Sequence, residues 1–227
     1  MTPFARQLST TELAGRVFSE RQLGELLGGS AARRYGLVNR ALKDGSLVRL
    51  KRGAYVLGER TGSHSLHPFA VAQGLVPGSY VSFESALAYH GWIPEAVFVT
   101  ASVSPGRKTM RYETPSFGTF NFHPLAIAQY QFLTAVDRVC FGKATAFVAQ
   151  PLRALMDLVA FRKEHWSGFE WLVRSMRLDE EALSALTSKD IRALKKVYKH
   201  KAVVTYLAEL ENAVAAMRSS LGRAGDD

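Results

Sequence analysis

The chain has 227 residues, 47% of them hydrophobic and 22% charged, the balance expected of a soluble globular protein with one or two cored domains. No apolar run approaches the roughly 20 residues of a membrane span, and the opening MTPFARQLSTTELAGRVF lacks the apolar block of a signal peptide, so a cytoplasmic location is expected. A single cysteine, Cys140, excludes an intramolecular disulfide and fits a reducing compartment; with Val139 and Phe141 beside it, a buried inert thiol is expected. The net charge of +9 is unevenly placed: residues 1–60 hold 11 Lys/Arg against 5 Asp/Glu, and residues 61–227 hold 18 against 15. A basic end joined to a more neutral remainder points to a nucleic-acid-binding module.

In chain order, Thr10 or Thr11 leads into a short helix around LAGRV, or a helix runs earlier from Pro3 towards Gly15. Ser19 with Gln22 has capping-box spacing for the helix ERQLGELL. Gly28-Gly29 ends it with a sharp turn, and Ser30 caps a third helix from Ala31 to about Lys43. Ala31, Tyr35, Val38 and Leu42 share a face suited to packing on the second helix. Arg33, Arg40 and Lys43 fall on the other side, flanked by Arg34. Residues 45–57, GSLVRLKRGAYVL, then alternate as a hairpin with Lys51 and Arg52 at its tip, where Gly53 supplies a positive φ. Helix, glycine turn, helix and cationic hairpin together are the plan of a winged helix-turn-helix, whose third helix enters the major groove. Arginines in its first turns can pair with guanine O6 and N7.

Gly58 to Ser65 reads as a polar linker. Beyond it, HPFAVAQGLV is a predicted helix and SYVSFESALAYHG a short strand or turn leading into another. VFVTASVS and KTMRYETPSFGTFNFHPL have strand composition, with SPGRK as a turn. From Pro151 the pattern is helical: Leu152, Leu155, Met156 and Val159 form a stripe, then come FEWLVRSM, EEALSAL and a long helix from about Lys189 to Met217. RSSLGRAGDD reads as a frayed tail.

Chemistry-bearing residues are scattered. His64 and His67 lack a Cys, Asp or Glu cluster to complete a metal site, so turn contacts are expected and no metal or cofactor. Ser82, Glu84, His90 and Asp157 form no recognisable hydrolytic motif, GLVPGS lacks the lysine and spacing of a phosphate loop, and no enzyme is expected. Arg192, Lys195, Lys196 and Lys199 recur at helical spacing, a second basic stripe for which a solvated face competes with phosphate contacts.

HPFAVAQGLVPGSYVSFESALAYHGWIP, followed in order by VFVTASVS, GTFNFHPL and AQPLRALMDLVAF and preceded by LKDGSLVRLKRGAYVL, resembles the AbiEi family, the antitoxins of bacterial type IV toxin–antitoxin systems. The resemblance covers about residues 5–165, and the C-terminal helices more loosely. It implies an α+β chain: a winged helix-turn-helix domain over 1–60, an antitoxin domain over 66–219 that is mixed to about 148 and helical after, and a flexible tail over 220–227. It further implies repression of the protein's own operon through double-stranded operator DNA with inverted repeats, by a monomer or weak dimer cooperating on DNA, and a partner toxin of nucleotidyltransferase type. Family DNA contacts map onto Arg33, Arg34, Arg40, Lys51 and Arg52, while Ser82, Ser85 and His90 are expected to hold the fold. The alternative is an antitoxin that sequesters its toxin directly, with DNA binding secondary.

Overall fold

The computed structural model describes residues 3–11, 13–58 and 66–224 of an α+β protein, and these described residues form ten helices. Helix α1 (Pro3–Ser9) is followed by strand β1 (Phe18–Ser19), helices α2 (Glu20–Leu27) and α3 (Ala31–Lys43), and strands β2 (Leu47–Lys51) and β3 (Ala54–Leu57). The three strands make an antiparallel sheet of order β1-β3-β2. Leu8, Phe18, Leu23, Ala41, Leu47 and Tyr55 form a small core between this sheet and the helices. The first helix is therefore the earlier of the two alternatives: the LAGRV segment is not helical, and Thr11 Oγ1 accepts from the Leu13 N–H in a local turn.

The remainder is built on a six-stranded mixed sheet of order β6-β7-β5-β4-β9-β8. Helix α4 (Pro68–Leu75) leads to β4 (Tyr80–Val81) and α5 (Phe83–Tyr89), then β5 (Val99–Ser104), β6 (Met110–Thr114), β7 (Gly118–Pro124), β8 (Val136–Phe141) and β9 (Ala144–Ala149). Five helices finish the chain: α6 (Pro151–Arg162), α7 (Phe169–Arg174), α8 (Glu180–Ser184), α9 (Ser188–Leu194) and α10 (Lys201–Ala224). The predicted stripe of α6 is buried as a whole, with Leu152, Leu155, Met156 and Val159 in the main core.

The same helix buries an ion pair. Arg153 and Asp157 are both 0% exposed and one turn apart, with Arg153 Nε 3.0 Å from Asp157 Oδ1. Asp157 Oδ1 also accepts from the Tyr198 hydroxyl (2.7 Å), and Oδ2 accepts from Tyr80 (2.9 Å) and Ser82 (2.7 Å). Arg153 donates onward to the Thr134 carbonyl (2.8 Å) and the Tyr80 hydroxyl (2.5 Å). Burial, with Asp157 beside them, pushes the Tyr80 and Tyr198 hydroxyls above the usual tyrosine range, so both stay neutral donors. Burial alone would lower the Arg153 guanidinium, but Asp157 more than offsets it and the net direction is up.

This cluster breaks the predicted C-terminal helix. With Tyr198 turned inward to Asp157, Val197 O accepts from Ala128 N–H and Lys199 N–H donates to Ala126 O, an isolated bridge incompatible with a continuous helix. The expected Lys189–Met217 helix is thus two, α9 and α10. Helix α10 in turn continues through Ala224, where a frayed tail is expected, and 225–227 lie outside the described residues.

Two further expectations need correction. Cys140 is exposed. It lies in β8, where successive side chains point to opposite faces, so half-buried Val139 and Phe141 on either side send Cys140 outward. Gly58, expected to open the linker, is buried and closes the hairpin: its N–H donates to Ser46 O, and any Cβ there would collide with the Gly45 carbonyl. Residues 59–65, the rest of that linker, lie outside the described residues, and so does His64.

Asp157→Ala leaves a buried guanidinium without its anion and is expected to cost about 3–5 kcal/mol. Urea unfolding measures this, and a loss below about 1 kcal/mol would show that the cluster does not anchor the fold.

Candidate nucleic-acid interface

Each side chain of the candidate interface is aimed by a local backbone device. Ser19 Oγ accepts from the Gln22 N–H while Gln22 Oε1 accepts from the Ser19 N–H, completing the expected capping box of α2. Gly28 and Gly29, both at positive φ, turn the chain, and Ser30 Oγ accepts from the Arg33 N–H to start α3. Asp44 Oδ1 accepts from the Ser46 N–H and directs the chain into the hairpin. The hairpin turns at Arg52-Gly53, with Gly53 at φ 76° as its position requires.

Between α2, α3 and the hairpin lies a groove of about 740 Å³, lined among others by Arg34, Tyr35, Asn39, Arg49 and Arg52, with Glu20 at its acidic end. Arg49, exposed on β2, holds its guanidinium 5.7 Å from the Tyr55 ring centroid. Arg33, Arg40 and Lys43 are exposed on the outward side of α3 and Arg52 is exposed on the hairpin; none of the four has an ion-pair partner among the described residues. Ala32 lines the groove, and a Cβ added at Gly36 would meet open space.

Three sequence-level placements differ from this geometry. The face bearing Ala31, Tyr35, Val38 and Leu42 does not close on α2: Tyr35 is 73% exposed and Ala31 is exposed, while Val38, Ala41 and Leu42 do the packing. Ala31 and Tyr35 line the groove instead. Arg34, expected to flank the reading face, folds back, donating from Nη1 to the Gly29 carbonyl at 2.5 Å.

Lys51 departs furthest. Its Nζ donates to the Leu75 carbonyl at the end of α4 (2.5 Å) and lies 5.3 Å from the Tyr112 ring centroid. The register shift between Arg49 and Lys51 sets an extra residue of β2 against β3 and turns Lys51 to the back of the sheet. Arg49, which sequence reasoning passed over, takes the groove position; its alternation with Leu47 on β2 was the available signal.

Comparisons with known proteins bear on the fold alone. No protein-family model and no curated protein matches the chain. Among solved structures it is similar to the crystal structure of the RV2827C protein from Mycobacterium tuberculosis, with a TM-score of 0.54 and 15% identity over 94% of this chain and 78% of that one.

The other candidate residues are dispersed. Arg192 lies on α9, with Nε donating to Ser188 O, while Lys195 is half-buried and pairs with Glu211 at 2.6 Å, and Lys196 and Lys199 are exposed in the break before α10. The expected single stripe is therefore not formed. Ser82 donates to Asp157, Ser85 bridges Val99 O and Ala101 N–H, and His90 Nε2 lies 2.9 Å from Ala149 O. His67 caps α4, its Nδ1 accepting from the Phe69 N–H, and burial holds its imidazole below the ordinary value of 6.5. Among the described residues no group of three or more His, Cys, Asp or Glu could hold a metal ion, and no helix is long and apolar enough to cross a membrane. A second groove, of about 460 Å³, is mostly apolar: Phe98 (89% exposed), Val97 and Phe161 line it together with Glu84, Asn121 and His123.

Replacing Lys51 by Met keeps the stem and removes the charged donor. Amide exchange across residues 47–57 is expected to quicken by about tenfold or more, the worth of a hydrogen bond to a charged group. Unchanged exchange there would contradict the strut role of Lys51.

Proposed function

We propose that this protein binds duplex DNA through a winged helix-turn-helix formed by α2, α3 and the β2–β3 hairpin. The observation that carries the reading is a set of exposed cations without ion-pair partners among the described residues: Arg33, Arg40 and Lys43 on the outward side of α3, and Arg49 and Arg52 on the hairpin wall of the groove. A B-DNA major groove about 12 Å wide admits one helix, and Ala32 and Gly36 let its backbone come close. Arg33 and Arg40 then reach base edges, while Arg49 and Arg52 hold phosphates beside them.

On this reading, and by the resemblance to AbiEi antitoxins, the protein represses its own operon as the cytoplasmic antitoxin of a type IV toxin–antitoxin system and counters a nucleotidyltransferase-like toxin. A second reading, direct contact with a toxin, is favoured by one observation: the exposed aromatic rim formed by Phe98 and Phe161 over the apolar groove.

The double variant Arg33→Ala, Arg40→Ala is expected to lose about 2–6 kcal/mol of binding, at roughly 1–3 kcal/mol per base contact, to a labelled duplex of the DNA immediately upstream of the coding sequence. Fluorescence anisotropy measures it. Wild-type affinity in the double variant would refute the assignment of α3 as the reading helix.

A further inference from the structure

The N-terminal unit is seated on one end of the six-stranded sheet. Strand β5 is antiparallel to β4, with Val103 opposite Tyr80, and β9 is parallel to β4, with Val148 opposite Val81. The end of β5, the start of β4 and the β8–β9 turn therefore lie together. The N-terminal unit meets this end at three places. Val17 packs so close to Gly74 that any Cβ on that glycine would overlap it, Lys51 donates to Leu75 O, and Gly15 faces the Lys143 side chain.

The β5–β6 turn, Pro105 to Thr109, leaves the sheet at this same end. It is anchored beside the strut: Pro105 Cγ lies 3.6 Å from the Cβ position of Gly78, three residues beyond Leu75. The strand it enters, β6, carries the Tyr112 ring against which Lys51 rests. Lys108 is four residues before Tyr112, within about 13 Å along the strand. Lys51 is the last residue before the Arg52-Gly53 tip, so the turn lies on the side of the molecule where the hairpin rests on the main domain. Residues 105–109 are all exposed, and Arg107 and Lys108 have no partner among the described residues. Further along β6, Glu113 is paired with Arg111 at 2.7 Å.

We infer that the β5–β6 turn is a second cationic contact to the duplex, in which Arg107 and Lys108 pair with phosphates next to those held by Arg49 and Arg52. The inference rests on the DNA-binding reading above. Both cations stand on an exposed turn with no side chain buried to orient them, so they supply affinity without sequence preference. They also lengthen the footprint beyond that of the hairpin, and they make the second domain part of the DNA-binding surface.

The test uses the full chain, a labelled duplex of the upstream DNA and a random-sequence duplex of equal length, titrated across a salt series. Arg107→Ala, Lys108→Ala is expected to weaken both duplexes by about tenfold or more at 0.1 M salt and to flatten the log–log salt slope by about 2. The preference for the upstream duplex stays unchanged. If slope and affinity equal those of the wild type while Arg33→Ala, Arg40→Ala loses binding, the inference is overturned and the DNA-binding reading stands. If the wild type binds neither duplex, both fall. Circular dichroism of the variant, expected to match the wild type because both residues are exposed, separates lost contact from lost fold.

Discussion

The buried Arg153–Asp157 pair is the interaction on which the rest of the chain is arranged. Two charges removed from water cost several kcal/mol each, and only a full set of partners offsets that cost. Here the partners come from four places: β4 with Tyr80, Ser82 just after it, the Gln131–Thr134 segment through its carbonyls, and Tyr198 between α9 and α10. Each must be in place for the carboxylate and the guanidinium to be satisfied, so the pair specifies how sheet, loop and C-terminal helices meet. The groups resemble the components of a hydrolytic site, yet Ser82 donates directly to Asp157, and Ser82, Arg153 and Asp157 are each 0% exposed.

A second constraint fixes the cationic surfaces in one frame. The back of the small sheet contributes Leu50 and Val56 to the main core, and Lys51 binds the carbonyl end of α4. The hairpin is thus gripped from behind while Arg49 and Arg52 remain free in front. Docking that uses a lysine this way removes one cation from the groove and gains orientation of the others. A charge on the main domain, such as the β5–β6 turn, then holds a constant position relative to α3.

Local signals were the legible ones. The Ser19–Gln22 capping box, the Gly28-Gly29 turn, the Ser30 cap and the Gly53 reversal all depend on residues within a few positions of each other, and all are found where their spacing predicts. Long-range contacts decided the exceptions. Local spacing puts Lys51 at the hairpin tip, but its partners, Leu75 O and Tyr112, lie 24 and more residues away. The basic run through Lys195 and Lys199 has helical spacing, but Tyr198 is drawn to Asp157 and interrupts it. The apolar residues flanking Cys140 indicate burial in a helix or loop but exposure in a strand, and its exposure follows from the β8–β9 hairpin that turns at Gly142. The groove around Phe98 and Phe161 joins residues more than sixty positions apart, which no local pattern could unite.

The central claim is that the N-terminal groove, held rigidly on the main domain, grips duplex DNA. Hydrogen–deuterium exchange of the full chain with and without the upstream duplex tests it most directly. The account predicts that DNA slows exchange across residues 31–43 and 47–57 and leaves the α8–α10 helices unchanged. No protection in α3 and the hairpin at saturating duplex, or protection centred on the C-terminal helices, would contradict it.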